Sequence, residues 1–361
     1  MKGKIRNFFS SSNTSQGFCS FYEYIIDTEA SFEKIYIKDP SNNRKTSIMK
    51  NIGEFFNNKG YDIEYYCSCS NNNFFDAVVI NKLNIALLNS ASPHIMDSLI
   101  PEPMDEILSI EQYLDKEKLK KHKSKIVDTN KKIYTTFKRA NNYITAAKLI
   151  HDNWSSCNKE ALNYSKIILL QEDLKEKILS NCIPSDIGKE RHLFATSLCC
   201  DGIVTLIDNI CEDCENIYSL NGGPGTGKNQ ILEYICKESL RRGLLVEIYH
   251  SPLIPNEIEH IIIPELKTAL LSSNELNNKR FTGIQIFTEN FLDYSLIDRD
   301  VLLENKDTFY KLLNKGLSIM DSLKKLYDNL EIYYRNNMNF KDIDELYNGL
   351  INKLEKYASD K

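Results

Sequence analysis

Two stretches of the chain repeat one pattern of apolar and polar positions. In each, a short β-rich run (residues 32–38 and 216–220) leads through a loop into an amphipathic segment (45–58 and 228–242). The 3.6-residue spacing of its apolar positions predicts a helix. Gly60 and Gly243 stand just past these segments, where a helix C-cap is expected. A second strand follows (61–67; 244–250), and then two apolar runs, 77–80 with 85–88 and 261–263 with 268–271. Continuous apolar strands alternating with helices point to a mostly parallel sheet covered on both faces. Beyond the sheets, residues 105–180 and 288–358 become charged and helical, with spacings such as Ile144, Ala147, Leu149 and Ile150 that fit paired helices or a helical arm.

The repetition extends to residue identity. Residues 39–90 and 222–273 align without a gap at an offset of 183, and 14 of the 52 pairs are identical, among them Lys45/Lys228, Gly60/Gly243, Glu64/Glu247 and Tyr66/Tyr249. Upstream, Phe9, Ser12 and Gly17 match Phe194, Ser197 and Gly202 at an offset of 185. Downstream, Lys148, Asp152, Asn153 and Asn163 match Lys324, Asp328, Asn329 and Asn339 at an offset of 176. The expectation is an α/β chain built by duplication. Its two domains, 1–185 and 186–361, each consist of a mostly parallel sheet followed by a helical segment, with a join near Pro184 and Gly188.

Composition narrows the class. With 361 residues the chain is too long for one compact domain, and 42% hydrophobic with 26% charged residues suits an ordinary globular protein. No apolar run approaches a membrane span, and the first 18 residues lack the apolar stretch of a signal peptide, so a cytoplasmic protein is expected. Ten unevenly spaced cysteines read as thiols in a reducing compartment. A formal net charge of −5 disfavours a general nucleic-acid binder.

The sharpest chemical signal is Gly222-Gly223-Pro224-Gly225-Thr226-Gly227-Lys228, a G-x-x-x-x-G-K loop with a strand running in and a helix running out. Glycines allow positive φ and close approach, the amides point inward as a nest, and the helix adds its positive end. Lys228 would reach the β- and γ-phosphates. The next position, Asn229, stands where Ser or Thr would ligate Mg²⁺, and the later apolar strand ends in Ser272 where an Asp would supply a second contact. An Mg²⁺ ion would then rely on phosphates and water. The first half keeps Lys45-Thr46 but replaces every loop glycine with 39–44, DPSNNR, and its later strand ends in Asn89. Asp39 adds negative charge and Pro40 removes an amide, so this half reads as a structural pseudo-domain.

The remaining constellations are weaker. Cys211-Glu212-Asp213-Cys214 is a lone C-x-x-C without two further zinc ligands, and free thiols are expected. His94 and His250 follow apolar strands on the edge where α/β sites form, although a satisfied histidine explains either. Glu64 and Glu247 could face the nucleotide region or simply solvent. Trp154, the only Trp, reads as a packing anchor.

On these motifs the chain resembles an uncharacterised bacterial family of tandem P-loop ATPase-like proteins. The resemblance runs from Phe9 to the end: F-x-S-x-N-T-x-x-G-F at 9–18, Arg191-His192-x-Phe194, the Gly-rich loop, Ile263-Pro264-Glu265-Leu266 and Ser92-Pro93-His94. Members carry Gly-rich loops in both halves, Ser or Thr after the Lys, and an Asp ending the later strand; this chain departs at 39–44, Asn89, Asn229 and Ser272. The resemblance implies a P-loop fold and nucleotide binding. The reading is ATP binding at Gly222, Gly223, Pro224, Gly225, Thr226, Gly227, Lys228 and Asn229 with weak or absent hydrolysis and no dedicated metal ligand. Two alternatives stand beside it: an active ATPase or phosphotransferase that uses Lys45-Thr46 or Glu247, and a non-catalytic scaffold that binds a protein partner through the helical arms.

Overall fold

The computed structural model describes residues 2–26, 33–90, 106–337 and 340–359; Ser92, Pro93 and His94 lie outside them. The first half contains β1 (Ile5–Phe9), β2 (Ser11–Thr14), β3 (Gly17–Ser20), β4 (Glu33–Lys38), α1 (Asn42–Asn58), β5 (Ile63–Cys67), β6 (Phe75–Ile80), β7 (Ile85–Asn89) and β8 (Glu106–Ser109). Helices α2 (Lys116–Lys121), α3 (Lys123–Glu160) and α4 (Tyr164–Leu179) close it. The second half contains β9 (Glu190–Leu193), β10 (Thr196–Cys199), β11 (Gly202–Thr205), α5 (Ile207–Ile210), β12 (Asn216–Asn221), α6 (Lys228–Leu240), β13 (Val246–His250), β14 (Ile258–Ile263), β15 (Thr268–Ser273) and β16 (Ile284–Phe287). It ends with α7 (Arg299–Asp321), α8 (Leu323–Arg335) and α9 (Phe340–Ser359). Among the described residues no helix is long and apolar enough to cross a membrane.

The two six-stranded sheets share one order, β1-β5-β6-β7-β4-β8 and β9-β13-β14-β15-β12-β16. All neighbours are parallel except those of β6 and β14, which run against both flanking strands. The three-residue turns Asn81–Leu83 and Pro264–Leu266 explain the exception, because a parallel pair needs a crossover of a dozen or more residues. Both turns close on a left-handed residue, Asn84 at φ +52° and Lys267 at φ +46°. Gly60 (φ +95°) and Gly243 (φ +72°) end α1 and α6 as the sequence predicts.

The compact units do not follow the sequence halves 1–185 and 186–361. One unit comprises residues 1–10, 21–138 and 320–361; the other comprises 11–20 and 139–319. The later part of each helical arm is exchanged, residues beyond 138 going to the second unit and residues beyond 319 to the first. In the first unit, Leu350 and Leu354 of α9 join Ile35, Ile52, Phe56 and Ile80 in the core. In the second, Leu162, Ile167 and Leu174, from α4 and the turn before it, join Leu220, Ile231, Ile235 and Ile263. Each arm therefore buries its apolar stripe on the sheet of the opposite half, a pairing that helical periodicity cannot specify. Hairpins β2–β3 and β10–β11 both belong to the second unit, where Ser12 Oγ and Ser197 Oγ are 3.2 Å apart and Asn13 Nδ2 donates to the Leu198 carbonyl at 3.0 Å.

Candidate functional site

Strand β12 delivers the Gly-rich loop to the carboxyl edge of the second sheet, and α6 starts at Lys228. Gly225 (φ +75°) and Gly227 (φ +93°) take conformations that L side chains rarely adopt. Lys228 folds back over the loop: its Nζ donates to the Gly223 carbonyl at 2.7 Å and also to that of Gly222. Thr226 Oγ1 donates to the Gly223 carbonyl at 2.8 Å. The Gly223 amide donates to Glu289 Oε1 at 3.2 Å. Among the described residues, nothing accepts from the amides of Gly225, Thr226 or Gly227.

The exchanged arm covers this loop. Asn158 Nδ2 on α3 donates to the Pro224 carbonyl at 2.7 Å. A Cβ on Gly225 would lie 2.1 Å from the Ser155 carbonyl oxygen, and one on Gly227 would lie 2.5 Å from Ile167 Cδ1. The glycines are thus demanded by the arm as well as by backbone conformation. Trp154 does more than anchor packing. It meets Phe309 and Tyr310 edge-on and stands close enough that a Cβ on Gly223 would be 3.5 Å from its Cζ2.

Carboxylates ring the loop lysine. Burial lowers the Lys228 pKa, while Glu275, Glu257 and Glu289 oppose that shift. Burial would raise the Glu275 pKa, but His151 and then Lys228 hold its carboxyl down to about 2. His151, on α3, lies 2.6 Å from Glu275 Oε1 through Nε2. Burial raises the Glu257 pKa. These three glutamates and His151 carry no sequence signal at fixed spacing from the loop, so only the folded chain brings them together.

Asn229 and Ser272, where the motif usually contacts a metal, are engaged structurally. Asn229 Oδ1 accepts from the Ile258 amide at 2.8 Å, and its Nδ2 donates to Glu233 at 2.6 Å. In the first unit Thr46 Oγ1 accepts from the Phe75 amide at 3.0 Å. Both pairs are related by the offset of 183, so either residue fastens the helix to the start of the antiparallel strand. Asn229→Ala should therefore cost about 1–3 kcal/mol by orphaning the Ile258 amide, whereas Asn229→Thr should unfold at nearly the natural urea midpoint. Equal losses for Ala and Thr would contradict this role. Ser272 is buried, and its amide donates to His260 Nδ1 at 3.1 Å.

A carboxylate does stand beside each strand end, one strand over. Continuing the registers Ala77↔Leu88 and His260↔Leu271 by one step places Asp76 opposite Asn89 and Glu259 opposite Ser272. Asn89 Nδ2 donates to Asp76 Oδ1 at 3.4 Å. Both acids are buried, and burial raises them, Asp76 to about 6 and Glu259 to about 7. An Asp introduced at 272 would thus add a second buried carboxyl beside Glu259.

The first loop takes another form. Helix α1 starts at Asn42, three residues before Lys45, so the residues equivalent to Gly225–Gly227 are wound into an additional helical turn capped by Ser41. Arg44 neutralises Asp39 bidentately, with Nε and Nη2 at 2.8 and 2.7 Å. Ser41 Oγ and the Asn42 amide donate to Glu331, on α8, at 2.7 and 2.6 Å.

Other sequence candidates resolve differently. Glu64 and Glu247 face neither solvent nor a loop: both are buried, each accepts from a tyrosine (Tyr66 or Tyr249) at 2.8 Å, and each pairs with an arginine on the edge strand (Arg6 or Arg191). His250 is buried and stacks on His192, with Nε2 2.7 Å from His192 Nδ1; burial and then His192 lower its pKa to about 4. Among the described residues the cysteines form no disulfide. Comparison with protein-family models, with curated proteins and with solved structures gives no match.

Proposed function

We propose that the chain is a duplicated P-loop-type protein that binds ATP at Gly222–Lys228 and hydrolyses it slowly or not at all. The observation that carries this reading is the contrast between the loops. At positions equivalent by sequence, the Asn42 and Asn43 amides meet a glutamate carboxylate, whereas the Gly225 and Thr226 amides have no acceptor among the described residues and lie beside Lys228. The protein thus carries an anion on one copy of this segment and leaves donors available on the other. Phosphate oxygens suit such donors, since amides of a nest and a helix N-terminus favour negative charge. On binding, Lys228 would exchange the Gly222 and Gly223 carbonyls for phosphate, and Glu289 would leave the Gly223 amide. The equal strand orders and the 14 identities in 52 aligned pairs support duplication.

Weak hydrolysis follows from Asn229 and Ser272. Asn229 Oδ1 is committed to the Ile258 amide, and Ser272 offers no carboxylate. The scaffold alternative loses ground because α4 and α9 spend their apolar faces on this chain's own cores. Titrating ATP by calorimetry in Mg²⁺ and in EDTA tests the reading. Saturable binding with less than about a tenfold difference, equivalent to 1.4 kcal/mol, is expected. Strong Mg²⁺ dependence with steady turnover would point to the active ATPase or phosphotransferase instead, and absence of binding in both conditions would overturn the proposal.

A further inference from the structure

We propose that the N-terminus of α1 is an oxyanion site held shut by the Glu331 carboxylate, and that removing this carboxylate opens it to inorganic phosphate. Three donors converge on Glu331: Ser41 Oγ on Oε2 at 2.7 Å, and the Asn42 and Asn43 amides on Oε1 at 2.6 and 3.4 Å. All belong to the first turn of a 17-residue helix or to its cap, where amides point outward and the helix end is positive.

A second observation is independent of the helix end. Lys45 is 1% exposed, and its Nζ has no hydrogen-bond partner among the described residues. It lies within electrostatic reach of Glu331, Asp39 and Asp76. Arg44 Nη1 is likewise buried without an acceptor. The site therefore holds more donors than one planar carboxylate engages, and a tetrahedral anion presents oxygens in further directions. Asp39 does not repel it, because Arg44 already pairs with that carboxylate on two bonds.

The occupant comes from the exchanged arm. At the arm offset of 176, Glu331 aligns with Ser155, whose carbonyl faces Gly225 in the second unit. One arm carries a carboxylate to its loop and the other does not. Glu331 thus fastens α8 in the first unit as a tethered substitute for a phosphate oxyanion, and free phosphate takes its place only when that carboxylate is removed. This inference does not depend on ATP binding at the second loop.

The test silences the second loop with Lys228→Ala and compares that protein with the Glu331→Ala/Lys228→Ala double variant, in sodium phosphate and in sodium chloride at equal ionic strength. Phosphate should raise the thermal midpoint of the double variant by about 2–4 °C over chloride. The Lys228→Ala protein should not move, and adding Lys45→Ala should abolish the rise. If the double variant does not fold in chloride, refolding from urea in phosphate should recover folded protein, read by circular dichroism. Absence of any phosphate-specific gain in midpoint or recovery would overturn the proposal. So would a gain that persists without Lys45, or an equal gain in Lys228→Ala alone.

Discussion

Gly225→Ala should destabilise the second unit by about 2–5 kcal/mol, whereas Gly223→Ala should cost about 1 kcal/mol or less. The two glycines are two residues apart, yet their surroundings differ. Gly225 holds φ +75°, and the left-handed region costs an L residue about 1–2 kcal/mol. Its new Cβ would also stand 2.1 Å from the Ser155 carbonyl oxygen, which is backbone and cannot rotate away. Helix α3 would have to shift, at the roughly 1–3 kcal/mol typical of overpacking. Displacement would strain the Asn158 bond to the Pro224 carbonyl as well. At Gly223, by contrast, the nearest atom to a Cβ is Trp154 Cζ2 at 3.5 Å, ordinary contact distance, and φ is not left-handed. Urea unfolding of both variants, followed by circular dichroism, measures the difference. Equal losses would show that α3 does not bear on the loop as described.

Much of each sheet was legible in the sequence because its signals are local. The β4, β12, β13 and β15 runs, the amphipathic helices α1 and α6, and the helix-ending Gly60 and Gly243 all follow from periodicity and backbone chemistry. The reversal of β6 and β14 was legible in principle, since Pro264-Glu265-Leu266 is too short for a parallel crossover. Edge strands β1 and β9 were not, because Arg6 and Arg191 interrupt their apolar character to reach Glu64 and Glu247.

What escaped the sequence altogether is long-range pairing. An amphipathic α4 or α9 announces a buried face without naming the sheet beneath it. Glu331 lies 290 residues from Ser41, so no spacing rule could place its carboxylate on α1. The absence of glycines at 39–44 was visible, but its consequence was not. Asn42, Asn43 and Arg44 wind into helix, and the Asn42 amide binds an internal anion. Asn229 was legible only in part. Its position showed that the Ser or Thr of a metal contact is missing, but not that its Oδ1 accepts from the Ile258 amide as Thr46 Oγ1 accepts from that of Phe75.

Lys228→Ala bears most directly on the account, because the proposed site rests on this side chain and the amides beside it. A charge-assisted hydrogen bond contributes roughly 1.5–3 kcal/mol, so its removal should weaken ATP binding about 10–150-fold. Deleting Nζ also frees the Gly222 and Gly223 carbonyls, which remain partly open to water, so the loop itself should persist. Trp154 is the chain's only tryptophan and stands over Gly223, which makes its emission a reporter of this loop. The deciding measurement is an ATP titration of the natural protein and of Lys228→Ala, read by calorimetry and by Trp154 emission in the same solutions. The account predicts saturable binding that changes Trp154 emission in the natural protein, with the affinity loss above in the variant. Equal affinity in the two proteins, or no saturable binding in the natural one, would contradict it.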